Sequence, residues 1–484
     1  TVDGVARSGL RLVRMNDSKL TKEALTAFAA QNRDRFESLL KDFVERPTVS
    51  VDPSKKPAIA ECVQLACDTI KAFGGVPEVL QTSGHPIVHG VFGDDASRPT
   101  VTVYNHLDVQ PASKDTEPWE TEPFVFTKKG DRYFGRGTTD DKGPALSALF
   151  GAKAAMDAGV PVNVRVLWEF EEEIGSPSFA KAIAGAKDKL ATDSIIVSDT
   201  IWIARGKPAS PAGLRGLQGM LFKLETGTTD QHSGVTGGGA RNPMAELMQV
   251  VSECFDAKTG KVKIPGFYKD VVPPTKAELE DFRKSGFTIA GFKKDHMFKS
   301  IRTHDALDLM KRVWALPTFE IHGCVGGYTG PGVKTVIPPR AEVKVSCRLV
   351  PNQTGAKIAK LVTDFVRKKN KDVKVELEGR LDPYQGITTG PLADAVRTSV
   401  KFAFGRTPVF VREGGSIGAV LTMESILKAP IVFLGLSLPE HGYHSPNENY
   451  DWEQASGGMI SFAKYFAEVA AMGKVGAKGY RPKK

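Results

Sequence analysis

Thr100–Tyr104, Val162–Phe170 and Ser194–Ser198, and again Ile431–Leu434, read as buried strands set between helical stretches. Between them, Met220–Thr226 and Ala341–Leu349 alternate apolar with polar residues. A strand that is apolar on both sides must be covered on both faces, whereas an alternating strand lines a sheet with one wet face. One sheet cannot serve both patterns. The chain is therefore read as an α/β unit, a mixed sheet with helices on both faces, interrupted by an inserted α+β unit with a one-sided sheet. Helical spacing fills the intervals. It covers 18–46 (Leu25, Phe28, Phe36, Leu39, Leu40, Phe43), Ala58–Phe73 before Gly74-Gly75, Pro144–Ala158, Gly355–Lys369 and 452–471. The expected division is a flexible segment 1–17, an outer domain from 18–212 and 391–473, an insert over 213–390, and a basic tail over 474–484. A Pro- and charge-rich stretch near 255–320 lies within the insert.

A length of 484 residues suits two or three domains. No apolar run approaches the ~20 residues that cross a bilayer, so a membrane role is not expected. The formal charge of +9 invites a nucleic-acid reading. Much of that excess sits at the ends, with Arg7, Arg11 and Arg14 at one and Lys474, Lys478, Arg481, Lys483 and Lys484 at the other. No aromatic-studded basic stripe accompanies it, and no nucleic-acid partner is expected. The five cysteines (Cys62, Cys67, Cys254, Cys324, Cys347) form no C-x-x-C pair. They read as buried structural thiols of a reducing, cytoplasmic protein.

Imidazoles and carboxylates gather where the apolar strands end, the place where open α/β sheets bind ligands. His106-Leu107-Asp108 follows the first strand; a neutral imidazole ligates metals well, and a nearby carboxylate holds its tautomer. The glycine-rich loop Gly135–Gly143 carries Asp140-Asp141, whose mutual repulsion calls for a counter-charge, although an Asp there also suits a helix N-cap. Glu171-Glu172-Glu173 follows the strand Val162–Phe170, and Asp199 follows Ser194–Ser198. Acids beside a core strand are costly unless they are solvated or neutralised. His444 follows Ile431–Leu434 after a loop. Singly, each group has a plain structural explanation. Jointly they are the donor set of zinc or manganese.

The segments His106-x-Asp108, Gly135-Arg-Gly-Thr-Thr-Asp-Asp-Lys-Gly143, Glu172-Glu173-x-Gly-Ser176, Ser198-Asp199, His232-Ser-Gly234, Lys334-Thr-Val-Ile-Pro338, Arg348-Leu-Val-Pro351, Arg412-Glu-Gly-Gly-Ser-Ile417 and His444-Ser-x-Asn-Glu448 resemble those of the carnosinase-like cytosolic nonspecific dipeptidases. These belong to the two-metal exopeptidases and deacylases with a lid domain. The match runs in order from about residue 20 to 472.

The resemblance implies a catalytic outer domain and an inserted lid and dimerisation domain. It implies two divalent cations per subunit, zinc or manganese, with His106 and Asp199 on one, His444 and Glu173 on the other, and Asp140 bridging. Three carboxylates and a bridging hydroxide would offset the charge of two such cations. Glu172 becomes the general base and Asp108 the residue orienting His106. His232 and Thr335 become lid contacts across a homodimer, His232 steadying the oxyanion. Arg348, helped by Ser416 and Gly415, would grip the terminal carboxylate of a short peptide substrate. Among the three glutamates, chemistry alone leaves the register open, and the family pattern selects Glu172 and Glu173.

Three departures stand out. Phe170 replaces a usual Gly, which would reshape the site wall; Ile201-Trp202 replaces a usual Tyr-Trp; and His441 is an extra imidazole, read as supporting or superficial. An N-acyl-amino-acid deacylase or metallocarboxypeptidase on the same scaffold is the alternative, and a non-catalytic metal-binding homologue a lesser one.

Overall fold

The computed structural model describes residues 20–474. The segment 1–17 and the basic tail 474–484, apart from Lys474, lie outside the described residues.

The four strands read from the sequence join two more, Val76–Leu80 and Ile87–Phe92, in one mixed sheet of six, ordered Val76–Leu80, Ile87–Phe92, Asn163–Glu169, Thr100–His106, Ser194–Val197, Ile431–Phe433. The last four run parallel and the first two antiparallel. Their side chains alternate between two cores. Val101, Val103, Val164, Val166 and Trp168 face helices Arg33–Val44, Gly143–Asp157 and Trp452–Met472. Tyr104, Leu167, Ile195 and Val197 face Phe179–Gly185 and Gly418–Leu427. The helical stretch over 18–46 divides at Asn32, whose side chain donates back to Phe28 O at 2.9 Å, into Lys22–Gln31 and Arg33–Val44.

The alternating strands build a second, fully antiparallel sheet, ordered Thr318–Gly326, Arg340–Leu349, Gly216–Glu225, Lys374–Leu381. Burial along Gly216–Glu225 alternates as the hydropathy does. The buried side (Met220, Phe222, Leu224, Val343, Val345) packs on helices Pro243–Cys254 and Gly355–Lys369. A small sheet joins the two regions: Ala209–Leu214 pairs with Tyr384–Gln385 and Val409–Glu413. The boundary expected at 212/213 thus falls inside a strand. The Pro- and charge-rich stretch folds into short helices whose Phe282, Met310 and Trp314 cover Ala209 and Val411 of this small sheet. No helix among the described residues is long and apolar enough to cross a membrane. Cys62, Cys67, Cys254 and Cys347 are buried as expected, but Cys324 is exposed because it lies on the outer strand of the second sheet.

Helices Gly143–Asp157 and Trp452–Met472 approach so closely at Gly151 that a Cβ there would sit 2.5 Å from Phe462 Cβ and 2.7 Å from Met459 O. A glycine inside a helix costs about 1 kcal/mol relative to alanine, and close packing offsets that cost here. Gly151→Val is expected to lower stability by about 1–3 kcal/mol through overpacking. The urea midpoint reports it, and an unchanged midpoint would mean that the two helices can separate freely.

Candidate active site

The parallel strands end on one side of the sheet, so the groups at their ends converge. His106 is the last residue of Thr100–His106; Glu172 and Glu173 follow Asn163–Glu169; Asp199 follows Ser194–Val197; His444 lies on the loop after Ile431–Phe433. Asp140 sits among them. Its Oδ1 is 3.0 Å from His106 Nε2 and its Oδ2 3.1 Å from His444 Nε2. Asp199 Oδ2 lies 3.9 Å from His106 Nε2, and Glu173 Oε2 lies 3.0 Å from His444 Nε2. Two groups of donors therefore share one carboxylate. Ligand atoms of His106, Glu172 and Asp199 also lie within 4.8 Å of one another.

These residues fit divalent metal. Four donors at bond lengths of about 2.1 Å stand about 3.4 Å apart, close to the separations here. Asp140 Oδ2 is buried and accepts no hydrogen bond, despite His444 nearby. An oxygen left so is costly without a cation.

Local structure aims each group. The turn at Gly137 needs a positive φ of 87°, and Asp140 and Asp141 keep non-helical backbone before helix Gly143–Asp157. Asp140 is thus not the helix N-cap that its position also allowed. Glu448 holds the loop: it accepts from the amides of Gly137 (2.9 Å), Thr139 (3.0 Å) and Asp140 (3.1 Å) and from Arg136 Nη1 (2.9 Å). Asn105 Nδ2 donates to Asp141 Oδ2 at 2.7 Å. His441 is buried, not superficial: it lies 3.0 Å from Asp451 Oδ2 and 3.1 Å from the Thr139 hydroxyl, bracing the residue before Asp140. His444 has a left-handed φ of 52°, uncommon for a residue with a side chain, and its ring is half-exposed.

The three glutamates divide their tasks. Glu171 accepts from the amides of His85 (2.8 Å) and Ser178 (3.0 Å), so its charge is tied to the backbone. Glu172 and Glu173 are left to face the site. Their turn is held by Asp108, whose two oxygens accept from Glu172 N (3.2 Å) and Glu173 N (3.1 Å). His106 Nδ1 is nearer the main-chain oxygen of Asp108 (3.1 Å) than its carboxylate (3.5 Å). Orienting His106 thus falls mainly to the Asp108 backbone. Gln110 Nε2 donates to Glu173 Oε2 at 2.7 Å. Phe170, expected at the site wall, is buried in the helix-side core instead, because strand alternation turns it away.

Burial and crowded carboxylates set the electrostatics. Burial pushes Asp199 up to about 7 and Glu172 well above the usual carboxylate range, Asp199 and Glu173 adding to the rise at Glu172. Burial also acts on Asp140, but the imidazoles of His106 and His444 outweigh it and hold its carboxyl well below that range. His444 is raised to about 11 by its contacts with Asp140 and Glu173. The site is a well of negative charge that draws protons where it would draw metal.

The remaining expected residues form two further groups. Arg348 Nη1 donates to Ser416 Oγ at 3.1 Å, with Gly415 adjacent. The helix that follows begins at Gly418, where a Cβ would lie 3.4 Å from Gly175 O, so this loop abuts the Glu172-Glu173 turn. A cavity of about 610 Å³ reaches Gly415 and Tyr443 and is lined also by Trp202, Phe292 and Trp314. The Tyr443 hydroxyl donates to Asp199 Oδ1 at 3.4 Å. His232 and Thr335 lie together elsewhere, both exposed: His232 pairs with Val336, and Ser233 N donates to Thr335 O at 3.0 Å. No contact joins them to the donor cluster among the described residues. Sequence reasoning assigned no role to Glu448, Gln110 or Arg215; only Glu448 lay within a recognised motif.

Glu448→Ala would leave Arg136 and three amides buried without their acceptor. It should cost about 3–5 kcal/mol and weaken metal binding about 10–100-fold by loosening Asp140. Chelator-treated unfolding and a metal titration check both, with Glu448→Gln expected to fall between the variant and the parent.

Comparison with known proteins agrees with this geometry. Residues 102–468 match the model of Peptidase family M20/M25/M40. The Cys-Gly metallodipeptidase dug1 of Schizosaccharomyces pombe is 32% identical over 476 residues, covering 94% of this chain and 99% of the relative. Human carnosine dipeptidase 1 has a similar crystal structure, with TM-score 0.81 and 28% identity over 93% of this chain and 99% of that one. The metallo-carboxypeptidase Sso-CP2 of Sulfolobus solfataricus is as close in fold, with TM-score 0.82 and 29% identity over 89% and 98%. A sheet-end cluster of imidazoles and carboxylates and a family match over most of the chain lead to one conclusion: this chain belongs to Peptidase family M20/M25/M40.

Proposed function

We propose that this protein hydrolyses dipeptides with two bound divalent cations, zinc or manganese. The observation that carries the reading is Asp140, whose two oxygens each face a different histidine at 3.0 and 3.1 Å. A carboxylate so placed bridges two sites, one completed by Asp199 and the other by Glu173. The donors are imidazole and carboxylate without thiolate, which suits zinc or manganese. Bound there, the cations would supply Lewis-acid activation of water and of the scissile carbonyl.

The chain's own residues carry the rest. Glu172, close to both His106 and Asp199 but outside the bridging pattern, takes the proton from the attacking water and returns it to the leaving amine. Arg348 binds the substrate's terminal carboxylate beside the Glu172-Glu173 turn, with Ser416 and Gly415 shaping its pocket. That clamp limits substrate length and favours dipeptides over long chains. His232 and Thr335 are too exposed to serve the cluster in their own chain, and we assign them to the partner's site in a homodimer formed through the inserted domain. The free cysteines, none of them paired in a disulfide among the described residues, suit a cytoplasmic location.

The Cys-Gly and carnosine dipeptidases among the relatives favour dipeptides. The equally similar metallo-carboxypeptidase keeps longer peptides as the second reading. A panel of Ala-Ala, Cys-Gly, carnosine, a tripeptide and an N-acetyl amino acid decides between them, using chelator-stripped protein reloaded with zinc or manganese. Metal-restored cleavage of the free dipeptides is expected, with little on the others. Glu172→Gln should bind metal normally and lose about 10²–10⁴-fold of turnover; a fully active variant would remove Glu172 from this role. Mixing His232→Ala with His106→Ala should restore part of the activity through hybrid dimers. Absence of rescue under verified subunit exchange would place His232 in its own chain's site or outside catalysis.

A further inference from the structure

Arg215 lies just before the strand Gly216–Glu225 and is buried, yet no described carboxylate comes within ion-pairing distance of it. Its Nη1 and Nη2 donate to Val313 O (3.0 Å) and Leu316 O (2.9 Å), and its Nε has no partner. Arg348 is half-buried, and the Ser416 hydroxyl is the side-chain partner it shows. Burial first, and then the charge of Arg348, lower Arg215 to about 10, while the carboxylate of Glu320 acts in the opposite sense. Glu320 offsets part of this repulsion without forming an ion pair among the described residues, and an anion between the two guanidiniums would relieve both.

The backbone of Arg215 is equally engaged. Its N–H donates to Gly415 O at 3.0 Å, and its carbonyl accepts from the Ser416 hydroxyl. Ser416 thus spends its proton on Arg215 and offers a lone pair to Arg348. In this arrangement the hydroxyl aims Arg348 and has no proton left for a ligand. Arg215 therefore ties together the Gly415-Ser416 loop, the turn at Val313–Leu316 and the clamp arginine.

We propose that Arg215 is the positioning residue of the carboxylate clamp, fixing Ser416 against Arg348 and adding the second positive charge that selects a free carboxylate over a neutral end. The proposal rests on the reading of Arg348 as the clamp. It implies that replacing Arg215 weakens binding of a free dipeptide far more than binding of its amide, whereas a merely structural role would weaken both alike.

The test is calorimetry of Ala-Ala and Ala-Ala amide on metal-loaded protein made catalytically silent by Glu172→Gln. Adding Arg215→Gln should reduce the preference for the free dipeptide at least tenfold, and Arg215→Lys should restore part of it. An unchanged preference, or equal losses for both ligands, overturns the proposal. Should Arg215→Gln fail to fold, Ser416→Ala cuts the same link from the other side. It should lower the same preference, and an unaltered preference there counts equally against the proposal. Because binding is read without turnover, a parent enzyme that cleaves no dipeptide would defeat the functional reading while leaving this result decisive.

Discussion

Glu448 is a buried carboxylate with no water to solvate it, and it solves that problem by gathering Arg136 and the amides of Gly137, Thr139 and Asp140. The loop between Gly135 and Gly143 has no regular structure of its own, so these bonds decide where Asp140 points. Everything else in the site is referred to that residue. His106 ends one strand and His444 lies on the loop after another, and the two oxygens of Asp140 lie 3.0 and 3.1 Å from their rings. Burial should drive Glu448 towards its neutral form, and its carboxyl is indeed raised to about 7. The charge-assisted bonds that it makes are what keep the loop in place.

A second layer of residues repeats this logic. Asp108, Glu171, Asn105, Gln110 and His441 each use polar atoms to place a donor or to keep a neighbouring acid away from the site. The result is a concentrated negative charge that water alone would not stabilise. It is tolerable because imidazoles lie on the carboxylates, and divalent cations are the partners that the same arrangement would favour.

The Arg348–Ser416 contact differs from this cluster in sign and in origin. Arg348 belongs to the one-sided sheet of the insert, while Ser416 belongs to the loop that leads into a helix covering the six-stranded sheet. Their contact joins the four-stranded sheet to the loop before Gly418, where an added Cβ would lie 3.4 Å from Gly175 O, two residues after Glu173. Positive charge at that seam, set beside the negative cluster, suits a substrate whose scissile bond lies close to its own carboxylate.

Hydropathy period settled much of the architecture, because a strand covered on both faces and a strand covered on one need different neighbours. It separated a two-sided sheet from a one-sided one and marked strand ends as the place for chemistry, but four strands, Val76–Leu80, Ile87–Phe92, Thr318–Gly326 and Lys374–Leu381, were not read from it. The donor residues were legible as types at those ends, and the motif register named them. What period could not show is how polar atoms pair over long separations. It left the glutamate register open until Glu171 proved to be bonded to His85 and Ser178, and gave no role to Glu448, Gln110 or Arg215; the resemblance put Phe170 at the site wall, whereas strand alternation puts it in the core. Side-chain type and spacing are local properties of a chain, and they determined which groups gather at the sheet. Which of them stay free to act was decided only by tertiary structure, because a buried carboxylate or guanidinium takes its role from the partners that the fold brings to it.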